Sequence, residues 1–130
     1  MDTKRTRHAH YNINYHLVWC PKYRRPVLVG DVAERLTELI AREVEVMDGS
    51  IFELVVMPDH VHLFASFPPD RAIAQIMHQL KGASSHQLRL EFPFLNSRLP
   101  SVWTRSYYVG TAGHVSAETI KRYIDEQRRS

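Results

Sequence analysis

The chain of 130 residues has one cysteine, Cys20. No internal disulfide can form, and cysteine-based zinc cages and the cysteine-ligated deaminase signature are excluded. A reducing, cytoplasmic setting is expected. No apolar run approaches the ~18 residues that span a bilayer. The opening stretch "MDTKRTRHAH" is charged and lacks the apolar segment of a secretory signal. There is no GxxxxGK[ST] phosphate loop, no acidic cluster of the two-metal nuclease kind, no repeat and no low-complexity tract.

Against these absences, 44% of the residues are hydrophobic, enough for one core, and the length suits a single domain over 1–130. The net charge is +3, unevenly spread. Residues 1–30 carry six Lys/Arg against one acid, residues 31–59 two against eight, and residues 60–130 nine against five. Basic ends flanking an acidic middle suit a polyphosphate partner, although charge alone favours a solvated, mildly basic surface.

Hydrophobic patterning divides the chain into alternating elements. "YNINYHLVWC" (11–20) alternates and is rich in aromatic and β-branched residues, a strand pattern. "PKYRRPVLVG" reads as a loop. Asp31 is placed to cap a helix over 32–47, with Val32, Leu36, Leu39, Ile40 and Val44 on one stripe. "IFELVVM" (51–57) and "HVHLFASF" (60–67) form two strands joined by the tight "PD" connection. A helix over 71–91 follows, then an irregular "FPFLNSRLPSV", a strand over 103–113 and a helix over 117–128 capped by Ser116. The order β-α-β-β-α-β predicts an α+β, ferredoxin-like split βαβ fold: an antiparallel sheet with two helices on one face, plus a C-terminal helix. Residues 1–10 remain as a basic tail.

"MPDHVHLF" (57–64) puts two imidazoles on one strand face, since side chains two apart point the same way. Neutral imidazoles ligate divalent metals, and His60 and His62 could take adjacent positions on one ion. Taken alone, the pair is better read as an exposed histidine beside one with a hydrogen bond in the core. The last helix bears on the choice. At about 100° per residue, Ile120 and Ile124 mark its apolar stripe, and Tyr123 and Gln127 run along that stripe's edge. A core-facing amide needs a partner, and a metal would serve. A wet phenol and a frayed terminal glutamine are the local alternatives.

"VVMPDHVHLF", "LKGASSHQL", "VWTRSYYVGTAG" and "IKRYIDEQ" occur in that order, behind "YHLVWCPKYRRPVL". Together they resemble the small single-strand DNA transposases of the HUH class with one catalytic tyrosine, the TnpA type of minimal bacterial insertion sequences. The likeness runs from about Tyr11 to Gln127. It implies that His60, His62 and Gln127 hold a divalent metal, Mg²⁺ or Mn²⁺, and that Tyr123 is the nucleophile. It also implies a 5′-phosphotyrosine intermediate, single-stranded DNA hairpins at the element ends as partner, and a homodimer in which the tyrosine helix acts in cis or in trans. The implied setting is the cytoplasm of a bacterium or archaeon, near the nucleoid.

DNA contact would draw on Lys4, Arg5, Arg7, Lys22, Arg24, Arg25, Lys81 and Arg89, with Tyr23 stacking on a base. The repeat-associated tyrosine transposases share the motif. A non-catalytic ferredoxin-like nucleic-acid-binding module and a metal-free ribonuclease are the readings of other classes. Cys20, Trp19 and Trp103 are read as core, and His16 either faces the site or only hydrogen-bonds.

Overall fold

The computed structural model describes residues 4–5, 10–11, 13–111 and 117–129. Its central sheet has four strands, β3 (Asn14–Trp19), β4 (Ser50–Met57), β5 (His60–Ser66) and β6 (Tyr108–Thr111), in the order β4-β5-β3-β6, all antiparallel. Two helices, α1 (Gly30–Val46) and α2 (Ile73–Glu91), cross over between strands. This is the expected split βαβ arrangement.

Alternation sorts each strand onto two faces. Leu17 opposes Leu63 and Trp19 opposes Val61, and all four are buried against the helices. α1 contributes Val32, Leu36, Leu39, Ile40 and Val44, the expected stripe, and α2 contributes Ile76, Met77, Leu80 and Leu88. Glu43, also on the buried side of α1, is satisfied by Gln79 Nε2 of α2 at 2.6 Å, which fastens the two helices together. The other face of the sheet carries His16, His60, His62 and Phe64. Across it lies α4 (Ala117–Glu126), which ends in a 3₁₀ turn, Gln127–Arg129.

Several boundaries differ from the sequence reading, each for a local reason. The last strand starts at Tyr108 rather than at 103. Trp103 makes one isolated bridge to Pro21, and its indole Nε1 donates to Ser84 Oγ (3.1 Å) within the core. That side chain's burial holds the segment away from the ladder until Tyr108. Asp31 lies inside the first turn of α1 and makes no capping bond. Gly30, at φ +56°, is the residue that turns the chain into the helix, a backbone geometry suited to glycine. The helix read from residue 71 begins at Ile73. The loop after β3 holds a 3₁₀ turn, Lys22–Arg24, and the stretch read as irregular holds α3 (Phe94–Arg98), with Leu95 buried. The basic tail includes a small antiparallel ribbon, β1 (Lys4–Arg5) with β2 (His10–Tyr11). Ser116 and Gly113 lie outside the described residues. Among the described residues, no helix is long and apolar enough to cross a membrane.

Candidate active site on the second face of the sheet

His60 and His62 open β5 directly after the Pro58–Asp59 turn, and they share the face away from the core. Each ring is held by a neighbour. His60 Nδ1 meets Asp59 Oδ1 at 2.9 Å, and the other oxygen of Asp59 accepts from Arg24 Nε at 2.7 Å. Burial opposes ionisation of Asp59, but hydrogen bonds from His60 and Arg24, together with their charges, outweigh it and hold its carboxyl below the ordinary value. His62 Nε2 lies 3.0 Å from Nδ1 of His16 on the adjacent strand, and His16 stacks on Phe64 with centroids 4.2 Å apart. Burial lowers the pKa of His62, helped by the charges of His16 and His60 and opposed by Glu53. Burial also lowers that of His16, again against Glu53. His62 is thus favoured in the neutral form that ligates metals.

A cavity of about 440 Å³ opens in front of the pair. Its walls are Arg24, Asp59, His60 and His62 on one side and Ile120, Ile124 and Asp125 of α4 among those on the other. Arg24 spans the two walls, since its NH1 donates to Asp125 Oδ1 at 3.0 Å.

Tyr123 and Gln127 sit together on a different flank of α4. The Tyr123 hydroxyl is 3.2 Å from Ser106 Oγ, and Ser106 Oγ donates to Gln127 Oε1 at 2.9 Å. Gln127 Nε2 donates to the Tyr123 carbonyl at 3.0 Å, and the side chain is 5% exposed. Burial raises the Tyr123 pKa, against hydrogen bonds from Ser106 and Thr104, so the resting phenol is protonated. The helix therefore faces the histidines with its isoleucines, while its phenol and amide rest on Ser106.

The donor set suits a divalent cation in part. Asp59 occupies Nδ1 of His60 and leaves Nε2 as the ring nitrogen available to a ligand, whereas Nε2 of His62 is engaged by His16 Nδ1, so His62 would ligate only by giving up that contact or through its Nδ1. The oxygen of Gln127 is turned to Ser106. Among the described residues, no group of three His, Cys, Asp and Glu side chains could hold a metal by itself. A third protein ligand would have to come from movement of α4 or from another chain.

The candidate DNA contacts scatter. Tyr23 is exposed, with the Lys22 ammonium 5.2 Å from its ring centroid. Tyr23, Arg24, Arg25 and Arg128 line one open recess. Arg24 is held by two carboxylates, and Lys81 turns inward onto the carbonyls of Thr104 (2.6 Å) and Ser106 (3.1 Å). Neither is a free surface arm, contrary to the charge pattern. Arg89 is half-buried on α2. Arg7 and the side chains of Lys4 and Arg5 lie outside what is described. The sequence reading did not assign Asp59, Ser106 or Asp125, or the inward roles of Arg24 and Lys81. Only Asp59 had a signal, its place beside the first histidine.

The IS200-like transposase family matches residues 9–127. The ISDra2 transposase TnpA of Deinococcus radiodurans is 37% identical over 98% of this chain and 92% of its own length. The transposase for insertion sequence element IS200 of Salmonella typhimurium is 33% identical over 97% and 84%. The crystal structure of a chain from Deinococcus radiodurans, described as a transposase, superposes with a TM-score of 0.87 at 35% identity, covering 98% of this chain and 99% of that one. A REP-associated tyrosine transposase bound to a REP hairpin shares the fold at a TM-score of 0.60 and 16% identity, over 96% of this chain and 69% of its own. Conserved length, fold and sequence agree: this chain is a member of the IS200-like transposase family.

Proposed function

We propose that the chain cleaves and rejoins single-stranded DNA at insertion-sequence ends through a covalent 5′-phosphotyrosine on Tyr123, with Mg²⁺ or Mn²⁺ held by His60, His62 and Gln127. One observation carries the reading: the helix bearing Tyr123 and Gln127 lies across the same sheet face as the histidine pair, with a cavity between them.

In the cleavage step, the Tyr123 oxygen bonds to the scissile phosphorus as the bond to the 3′ oxygen breaks. The phenol gives up its proton, and the departing 3′ oxygen ends as a hydroxyl. Phosphodiester energy is kept in the tyrosine linkage, so a second 3′-hydroxyl can attack it and rejoin the strand without a nucleotide cofactor. When bound, the cation stabilises the charge that develops on the phosphate oxygens and orients them. His60 and His62 would hold the ion from one strand, and imidazole ligands add no negative charge, so the ion's charge would be left for the phosphate.

Tyr123 and Gln127 lie on Ser106 rather than against the histidines. Catalysis requires α4 to turn its phenol and amide toward the histidines, or a second copy of the chain to supply them. A homodimer also fits the sheet. β4 pairs on one side only among the described strands, and its exposed Phe52, Val55 and Met57 lie along that edge. The hairpin carried by the REP-associated relative supports a folded single strand as substrate, and the basic recess at Tyr23, Arg25 and Arg128 is where it would touch phosphate.

Incubation with hairpin-bearing single-stranded DNA and Mn²⁺, followed by denaturing electrophoresis, tests this. The expected result is a protein–DNA adduct that disappears with Tyr123→Phe and with EDTA. An adduct formed by the Phe variant, or cleavage indifferent to EDTA, would overturn it.

A further inference from the structure

We infer that Asp59 and Arg24 are positioning residues for the metal site, with Asp59 setting the ring orientation and tautomer of His60 and Arg24 locking Asp59 in place. The inference rests on the metal reading proposed above.

Three contacts in series carry it: Asp125 to Arg24 at 3.0 Å, Arg24 to Asp59 at 2.7 Å, and Asp59 to His60 at 2.9 Å. An ionised carboxylate only accepts, so Nδ1 of His60 must be the protonated nitrogen, and Nε2 keeps its lone pair for a ligand. A carboxylate behind a ligating imidazole fixes the tautomer and raises ligand basicity. A turn aspartate would ordinarily serve its own backbone. Here both of its oxygens are committed to side chains, one of them from a distant segment.

The second observation is backbone strain. Tyr23 (φ 58°) and Arg24 (φ 54°) are consecutive non-glycine residues in the left-handed region. Such geometry persists where the surroundings over-determine it, and it concentrates at functional sites. Here Lys22 N donates to Val102 O, Arg24 N donates to Pro21 O, and the guanidinium closes on two carboxylates. The strained turn delivers one cation to the junction of β5 and α4. The metal ligand and the tyrosine helix are thereby tied to the same guanidinium.

Asp59→Asn and Asp59→Leu separate positioning from stability. Both have similar size and both abolish the ion pair with Arg24, but only Asn keeps an acceptor for His60 Nδ1. Mn²⁺ binding to the full chain without DNA, followed by electron paramagnetic resonance, is expected to weaken 10- to 100-fold in the Leu variant. In the Asn variant it is expected to weaken clearly less than in the Leu variant, because the acceptor for Nδ1 survives although the charge that Arg24 holds is lost. Ring ¹⁵N shifts should show His60 protonated on Nδ1 in the unsubstituted and Asn chains, and mixed in the Leu chain. Asn and Leu variants that bind Mn²⁺ alike would overturn the inference while leaving the metal reading intact. An unsubstituted chain that binds no Mn²⁺, or binds it equally after His60→Ala, would overturn both. Should the Leu variant fail to fold, the ring shifts of the unsubstituted chain still decide: His60 protonated on Nε2 sinks the inference.

Discussion

At the residue scale, the site depends on which groups burial keeps neutral. Among the described residues, no carboxylate pairs with Lys81. Burial pushes its pKa down to about 8 from 10.5, with Cys20 acting the other way. Below pH 8 the folded chain holds a partly desolvated ammonium that the unfolded chain would hydrate freely. Between pH 8 and 10.5 the unfolded state binds more protons, so this group's contribution to stability improves as pH rises. Cys20 opposes it from higher up. Burial, with Asp59 adding to it, pushes its pKa up to about 12 from 9.0, so above pH 9 the unfolded thiol ionises first and stability falls. The thermal midpoint is therefore expected to rise between pH 8 and 9. Lys81→Met should erase that rise, as measured by circular dichroism melts, and an unchanged slope would refute the assignment. Tyr123, with its pKa raised chiefly by burial, adds to the loss of stability above pH 10.

At the element scale, the proposed reaction asks α4 to move. Among the described residues, the contacts of this helix with the rest of the chain include Arg24 to Asp125, Ser106 to Tyr123 and Gln127, Thr104 to Tyr123, and the partly buried Ile120 and Ile124. α1 and α2, by contrast, each sink five apolar side chains or nearly that into the core. A net hydrogen bond is worth about 1 kcal/mol, so removing one should raise the opening equilibrium of the helix about fivefold. Asp125→Ala, which removes the acceptor for Arg24, is expected to speed amide exchange across residues 117–129 by that factor, and Ser106→Ala, which removes bonds to both Tyr123 and Gln127, by more, while the global unfolding midpoint hardly moves. Leu39→Ala, inside the core, should instead cost about 2–5 kcal/mol of global stability. Equal slowing or speeding of every helix in the exchange experiment would show that α4 is no separate unit.

At the scale of the whole molecule, one face of the sheet is packed for stability and the other is the one proposed for the chemistry. The core face is closed by α1 and α2. The second face carries the histidines, α4 and the unpaired edge β4. If that edge joins two chains, Val55→Lys should convert a dimer to a monomer in light scattering. It should do so without lowering the melting temperature by more than a few degrees, since Val55 is partly exposed. A persistent dimer would place the interface elsewhere.

Much of this was legible beforehand, because alternation and the 3.6-residue period are local properties of the chain. The β-α-β-β-α-β order, the stripe of α1 and the shared face of His60 and His62 all follow from spacing. The misplaced start of β6 has a different origin. "WTRSYY" looks extended by propensity, but Trp103 is drawn into the core by Trp19 and Ser84, and the chain must leave the ladder to let it in.

The amino-acid order by itself determined the order of the main strands and helices and the inward stripes, since each is a matter of residue type at a fixed spacing, while the four residues proposed for the reaction came from the resemblance of their motifs to a known family. Only the tertiary structure decided what those residues touch. Asp59 and Arg24 lie 35 positions apart and Tyr123 and Ser106 lie 17 apart, and separations of that length carry no periodic signal. Packing brought Arg24 between two carboxylates and turned Tyr123 and Gln127 onto Ser106, because buried polar groups take whichever partner the fold sets within reach.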